Sequence, residues 1–194
     1  MDRTPETSQI LFVNVQNLLD DTEINHHLSL LSTHNIKSNF FDTTGKAQAS
    51  VEDFTSFVII VLNETLVQQY LGGILTNAAW DAIKSTMLKV WQATLGKKYY
   101  IIRAHAEPEP RDVTLGIELK SEKHTIHFQF SGEMSEEMQS KYIDKAFDSF
   151  TKLCEDAKSD ILPHVARFDQ EWKLVDKRKE IEEKQKSTRK KKKK

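Results

Sequence analysis

The sequence predicts an α/β protein: a three-layer sandwich with a mainly parallel sheet, an added antiparallel hairpin and a long helical C-terminus. Short β-rich apolar runs alternate with helical patterns, in the order β-α-β-α-β-α-β. The run "FVIIVL" is apolar at every position, which is typical of a central strand covered on both faces. Two alternating stretches then flank the polar turn "KSEK", which indicates a hairpin.

The first half of the chain contains three predicted strands. "QILFVNV" at 9–15, "NIKSNFF" at 35–41 and "FVIIVL" at 57–62 are short apolar runs bounded by polar residues. Between the first two, an apolar helical face is formed by Ile24, Leu28 and Leu31, and Thr22 is a candidate N-cap. "VEDFTS" predicts a helical turn. Short helices between short strands predict that the first four strands are parallel.

The clearest predicted element is a helix over about 77–95. Its apolar stripe follows three- and four-residue steps, through Trp80, Ile83, Met87, Trp91 and Leu95. Thr76 or Asn77 is placed to cap its start and Gly96 to end it. The preceding pair Gly72-Gly73 fits a tight turn between two elements. An anion site at the helix start is the alternative, although neither standard glycine-rich phosphate motif is present.

The second half predicts a strand at 98–104, a hairpin over 113–130 and a long helix from Ser135. The two prolines of "EPEPR" predict that no regular strand pairing follows the 98–104 strand. The apolar side of the long helix consists of Met138, Tyr142, Ala146, Phe150, Leu153, Ala157 and Ile161. Pro163 predicts a break. These patterns divide the chain into an α/β domain at 1–163, a charged helical extension at 164–186 and a basic disordered tail at 187–194.

Charge is distributed unevenly along the chain. Residues 177–194 carry 11 Lys or Arg and 3 acidic residues, which leaves 17 basic and 26 acidic residues in 1–176. The favoured interpretation of Lys190–Lys194 is a solubilising, disordered end, and docking to an acidic surface of this chain or of a partner is an alternative. Salt-dependent contact with a polyanion is a further alternative, and no interleaved aromatic residue provides for specific nucleic-acid recognition.

Composition and spacing exclude several classes of site. Cys154 is the one cysteine, which excludes an intramolecular disulfide and predicts a small buried side chain. The start of the sequence lacks the pattern of a signal peptide, and the longest apolar run is too short for a membrane span, so we expect a cytoplasmic protein. Neither a nucleophile elbow nor a histidine pair spaced to share an ion is present, so no catalytic residue, metal or cofactor is predicted.

Residues 8–71 resemble a TIR (Toll/interleukin-1 receptor) domain. The resemblance rests on the opening strand "ILFVNV", a strand ending "FFD" at Asp42, the loop "TTGKAQAS" and the apolar strand in "FVIIVLNETL". It implies either an assembly module or an enzyme that cleaves the glycosidic bond of NAD. Enzymatic members carry a glutamate near the start of the helix after the third strand. The matching segment "QQYLGGILTNAAWDAIK" has none, Glu64 precedes it, and Asp81 lies inside a helix.

The sequence therefore favours a non-catalytic signalling or protein-interaction module that binds a protein partner or itself. The resemblance alone implies a prokaryotic defence or stress pathway. The predicted assembly surfaces are the loop 42–50 and the charged helix 165–186. The alternative is a nucleotide-sensing or NAD-processing domain with a pocket beyond the carboxyl ends of the strands, lined by Asn14, Asn17, Asp42, Asn63 and Glu64.

Overall fold

A computed structural model describes most of the chain between Thr7 and Asp176. The described residues are 7–13, 18–41, 58–101, 105, 107–122, 124–130, 134–155, 164–169 and 171–176. The strands are β1 Gln9–Val13, β2 Lys37–Phe41, β3 Val58–Leu62, β4 Lys98–Ile101, β5 Glu109–Asp112, β6 Leu115–Lys120, β7 Thr125–Phe130, β8 His164–Asp169 and β9 Glu171–Asp176. The helices are α1 Asp21–Ser32, α2 Glu64–Leu71, α3 Asn77–Thr94 and α4 Glu136–Glu155.

Seven strands form one mixed sheet in the order β2-β1-β3-β6-β7-β8-β9. Parallel pairs β1–β2, β3–β6 and β7–β8 alternate with antiparallel pairs β1–β3, β6–β7 and β8–β9. The α/β class and the β6–β7 hairpin are confirmed. The prediction that the first four strands are parallel is wrong, because β3 opposes β1 and β4 lies in another sheet. A two-residue alternation of apolar side chains is the same in either strand direction, so the pattern carried no information on orientation.

The helices lie together on one face of this sheet. Phe12 of β1, Ile60 of β3 and Ile117 of β6 are at most 1% exposed, whereas the alternate residues Ile59 and Val61 are only partly buried. The aromatic rings of Tyr70, Trp80 and Phe147 meet at 4.5–5.0 Å and join α2, α3 and α4 into one layer. In the described part of the chain the sandwich thus has two layers rather than the predicted three.

The prediction for α1 is right in position and wrong at its cap. Asp20, not Thr22, is the N-cap: its Oδ1 accepts a hydrogen bond from the amide of Glu23 at 2.8 Å. The Glu23 carboxylate accepts in return from the amide of Asp20 at 3.2 Å, so the two residues form a capping box. Three candidate cap residues follow one another at 20–22, and the reciprocal glutamate at Glu23 favours the first.

Helix α3 confirms its sequence prediction. Thr76 caps it, with Oγ1 accepting from the amide of Ala79 at 3.2 Å. Ile83, Met87 and Trp91 are at most 1% exposed. Gly96 follows the helix with φ 69°, a left-handed conformation that glycine adopts without the steric cost of a Cβ atom.

Helix α4 buries a face next to the one that the sequence predicted. Ala146 and Phe150 are buried as expected, but Met138 is 40% exposed and Gln139 is 1% exposed. Ala157, Ile161 and Pro163 lie outside the described residues. Ser135 caps the helix weakly, with Oγ accepting from the amide of Met138 at 3.4 Å.

Two further segments form strands where the sequence predicted none. Residues Glu109–Asp112 pair with β4, with Pro110 opposite Tyr100, because a proline that cannot donate is tolerated in the edge strand of a two-stranded ribbon. His164–Asp169 and Glu171–Asp176 are strands where a charged helix was predicted; the alternation of apolar and charged residues there also has a period of two.

The predicted loop 42–50, the turn 51–56 and residues 177–194 lie outside the described residues. Among the described helices, none is both long and apolar enough to cross a membrane.

Candidate functional site

The carboxyl ends of the first three strands, where a nucleotide pocket was predicted, do not lie together. β1 and β2 run parallel and end at Val13 and Phe41, whereas β3 ends at Leu62, which lies beside Ile10 near the start of β1. The carboxyl ends of these strands therefore lie at opposite edges of the sheet. The predicted pocket residues Asn14, Asn17 and Asp42 lie outside the described residues.

Asn63 and Glu64, the other two predicted pocket residues, make hydrogen bonds at the start of α2. Asn63 caps α2: its Oδ1 accepts from the amides of Leu66 at 3.1 Å and Gln9 at 3.0 Å, and its Nδ2 donates to the carbonyl of Thr7 at 2.9 Å. Glu64 accepts from Gln68 Nε2 at 3.0 Å, one helical turn along α2. Asn63 thus ties α2 to the start of β1, which is a structural role.

The Gly72-Gly73 joint is the turn that ends α2. Gly73 has φ 65°, and its amide donates to the carbonyl of Tyr70 at 3.1 Å. A Cβ atom added at Gly72 would lie 3.1 Å from the carbonyl oxygen of Gln68. A cavity of about 380 Å³ lies beside the joint, and its lining includes the α3 cap Thr76 but no lysine or arginine. The turn interpretation is confirmed, and the anion site has no cationic side chain to support it.

A larger cavity of about 780 Å³ opens between three helices. We call it the three-helix groove. It is lined by polar and charged side chains of α1, α3 and α4, including Glu23, His26, His27, Asp81, Lys84, Lys89 and Glu136, with Leu88 as its main apolar wall. Helical periodicity brings these residues together, since Asp81, Lys84, Leu88 and Gln92 recur at steps of three or four along α3.

Both lysines of the groove are engaged in ion pairs. Lys89 Nζ lies 2.6 Å from Glu23 Oε1, and Lys84 Nζ lies 2.5 Å from Asp144 Oδ2. The hydrogen bond from Lys89, helped by the amide of Asp20, holds the pKa of the Glu23 carboxyl below its ordinary value. Asp81 and Glu136 are exposed, and neither has an ion-pair partner among the described residues. The groove therefore presents more unpaired negative than positive charge.

His27 forms the buried wall of the groove. Its side chain is 6% exposed, and its Nδ1 lies 3.1 Å from Thr86 Oγ1. Thr86 Oγ1 is 2.9 Å from the carbonyl of Ala82, to which the hydroxyl donates its proton. The Thr86 oxygen must then accept from His27, so Nδ1 carries the hydrogen and Nε2 is a lone-pair acceptor. Burial, with smaller effects from His26 and Lys89, lowers the pKa of His27 and keeps its ring neutral.

The side chains of Thr86 and Cys154 are not activated as nucleophiles. Thr86 is fully buried and its proton is committed to Ala82, so it is no nucleophile for His27. No group of three metal-ligating side chains occurs among the described residues. Cys154 was predicted to be buried and is half-buried. Burial raises the pKa of its thiol, which disfavours the reactive thiolate.

Local sequence patterns do not indicate this groove, because its residues come from three separate helices. One signal was present: His27 precedes Leu31 by four residues and so shares the inward face of α1. Asp81 was considered only as a catalytic carboxylate, and the structure places it on the exposed side of α3. His26 and His27 both line the groove, although their rings stand at 76° to each other.

Comparison with known proteins leaves the family open. The chain matches no protein-family model, no curated protein and no solved structure. The resemblance to TIR domains therefore stays a prediction.

Proposed function

We propose that this protein is a non-catalytic interaction module that binds a basic segment of a partner protein in the three-helix groove. The observation that carries the proposal is the charge arrangement in a cavity of about 780 Å³. Lys84 and Lys89 are neutralised by their own partners, whereas Asp81 and Glu136 have none among the described residues. Unpaired carboxylates on two neighbouring helices attract cationic side chains and repel anionic ones.

The excess of acidic residues in 1–176, the part of the chain that contains the groove, supports the same kind of partner. Residues 1–176 contain 26 acidic and 17 basic residues, so the field around the groove favours approach of a positively charged segment. The cytoplasmic setting, which the sequence patterns suggest, belongs to the proposal too. A role in prokaryotic defence or stress signalling is also part of it, and the TIR resemblance is its support.

The alternative function, a nucleotide-sensing or NAD-processing domain, has less support. It requires polar side chains gathered where several strands end, and β3 ends at the opposite sheet edge from β1 and β2. Glu64, the carboxylate nearest to that role, lies on α2 and pairs with Gln68.

A peptide titration tests the proposal. A fluorescein-labelled octapeptide of alternating lysine and alanine is titrated with the full chain, and fluorescence anisotropy is followed. The double variant Asp81→Asn/Glu136→Gln is expected to bind about 2- to 30-fold more weakly, since each exposed charge pair contributes roughly 0.2–1 kcal/mol. The matched control is Glu107→Gln/Glu155→Gln, which removes two exposed carboxylates that do not line the groove.

Three outcomes would contradict the proposal. The first is no binding at millimolar protein, and the second is an equal loss of affinity in the control variant. The third concerns the chain's own basic end: tighter binding after Lys190–Lys194 are replaced by glutamine would show that this segment, not a partner, occupies the groove.

A further inference from the structure

We infer that the three-helix groove recognises a lysine or arginine side chain through a hydrogen bond to Nε2 of His27. This inference rests on the proposed function and deepens it, because it names the atom that accepts the partner's cation. Three features support it: the hydrogen-bonding state of His27, the acidic residues that share its cavity, and the apolar wall of the groove at Leu88.

The hydrogen-bond chain fixes which nitrogen of His27 is available. The Thr86 hydroxyl donates to the carbonyl of Ala82 at 2.9 Å, and its oxygen accepts from His27 Nδ1 at 3.1 Å. Nε2 of the neutral ring is then an acceptor with no partner among the described residues. His27 is 6% exposed, and its Nε2 is not among the fully buried atoms that lack a partner, so this nitrogen is open to a donor that enters the groove.

The ligand that completes this site must be a donor with positive charge. Neutral Nε2 accepts a hydrogen bond and offers none to an anion. Asp81 on α3 and Glu136 on α4 line the same cavity and supply acidic groups for further cationic side chains of the segment. Leu88, partly buried in the wall, provides an apolar surface for the alkyl stem that lysine and arginine carry.

The charged groups around His27 determine how pH acts on binding. His26 and Glu23 belong to its own helix, Lys89 faces it from α3, and Glu136 lines the cavity from α4. Since burial lowers the pKa of His27, its ring stays neutral at pH 7 and gains a proton only below its ordinary value of 6.5. Protonation converts Nε2 from an acceptor to a donor and adds positive charge. Binding of a cation is therefore lost on acidification, whereas binding of an anion would be strengthened.

The test uses the full chain, the labelled lysine–alanine octapeptide and its glutamate–alanine counterpart. His27→Asn is the deciding variant, because the amide nitrogen of asparagine can replace Nδ1 as donor to Thr86 while Nε2 is removed. We expect about tenfold weaker binding of the lysine peptide, the size expected for loss of one hydrogen bond to a charged group. His105→Asn, which replaces an exposed histidine outside the groove, serves as the control and should change the affinity less than twofold.

The outcomes separate this inference from the proposed function. If the lysine peptide binds and depends on Asp81 and Glu136, but His27→Asn binds equally well and wild-type affinity does not fall between pH 7.5 and 5, the inference is wrong and the proposed function stands. If no lysine peptide binds, the proposed function fails. Preference for the glutamate peptide would assign the groove to anions and overturn both. Should His27→Asn fail to fold, the pH dependence of the wild-type chain decides alone.

Discussion

Gln139 offers the sharpest test of the packing in the helical layer. It lies on the buried side of α4, is 1% exposed, and neither Nε2 nor Oε1 has a hydrogen-bond partner in the part of the chain that the structure describes. A buried amide without partners costs roughly 1–3 kcal/mol relative to its hydrated state. Replacing it with methionine keeps an unbranched side chain of similar length and helix propensity. Gln139→Met should therefore raise the free energy of unfolding by about 1–3 kcal/mol.

Urea denaturation followed by tryptophan fluorescence measures this change, since Trp91 is 1% exposed and reports on the core. Gln68→Met is the matched control: Gln68 is an exposed glutamine on α2, and its substitution should change stability by less than about 0.5 kcal/mol. A variant at 139 that is no more stable than the wild-type chain would refute the reasoning, because it would show that the amide is satisfied in solution. The slope of the free energy against urea should be the same for all three proteins.

Three further predictions concern turns, caps and titration. Asp20→Ala removes the α1 capping box and should lower the free energy of unfolding by about 1 kcal/mol in the urea assay. Gly73→Ala forces a Cβ atom into a left-handed conformation at φ 65° and should lower it by about 1–2 kcal/mol; an unchanged midpoint would contradict the turn geometry. Because the folded-state pKa of His27 lies below its ordinary 6.5, the unfolded chain binds a proton more readily, so stability should fall as pH falls below 6.5. His27→Asn should remove that part of the slope, as urea titrations from pH 7.5 to 5 would show.

Elements with a strong local pattern were predictable from the sequence. The α3 stripe of Ile83, Met87 and Trp91 and the cap at Thr76 need only the residues of the helix itself. The β6–β7 hairpin likewise follows from two alternating runs around a polar turn. These features depend on side chains within about twenty residues of each other.

Strand direction and helix face were not predictable in the same way. β3 opposes β1 although its apolar pattern fits either direction, and the orientation depends on the route of the connecting chain. On α4, the buried face includes Gln139 and Ile143 rather than Met138, because the position of α3 and the sheet decides which side is covered. The periodicity of apolar residues does not identify a polar residue that is buried.

The three-helix groove could not be predicted from local sequence patterns for a related reason. His27, Asp81 and Glu136 are separated by at least fifty residues along the chain, and only the packing of α1 and α4 against α3 brings them to one cavity. Asn63 and Glu64, in contrast, were predicted to line a pocket because they follow a strand. Asn63 instead caps α2 and joins it to the start of β1, and Glu64 accepts a hydrogen bond from Gln68 within α2.

Nitrogen NMR of the His27 ring in the full chain is the deciding measurement. We expect the tautomer with hydrogen on Nδ1 in the unbound protein at pH 7.5, because the Thr86 oxygen can only accept. We also expect the Nε2 resonance to shift as the lysine–alanine peptide is added, as an acceptor nitrogen does when a donor arrives. Hydrogen on Nε2 in the unbound protein, or an Nε2 resonance unmoved by saturating peptide, would contradict the proposed role of His27.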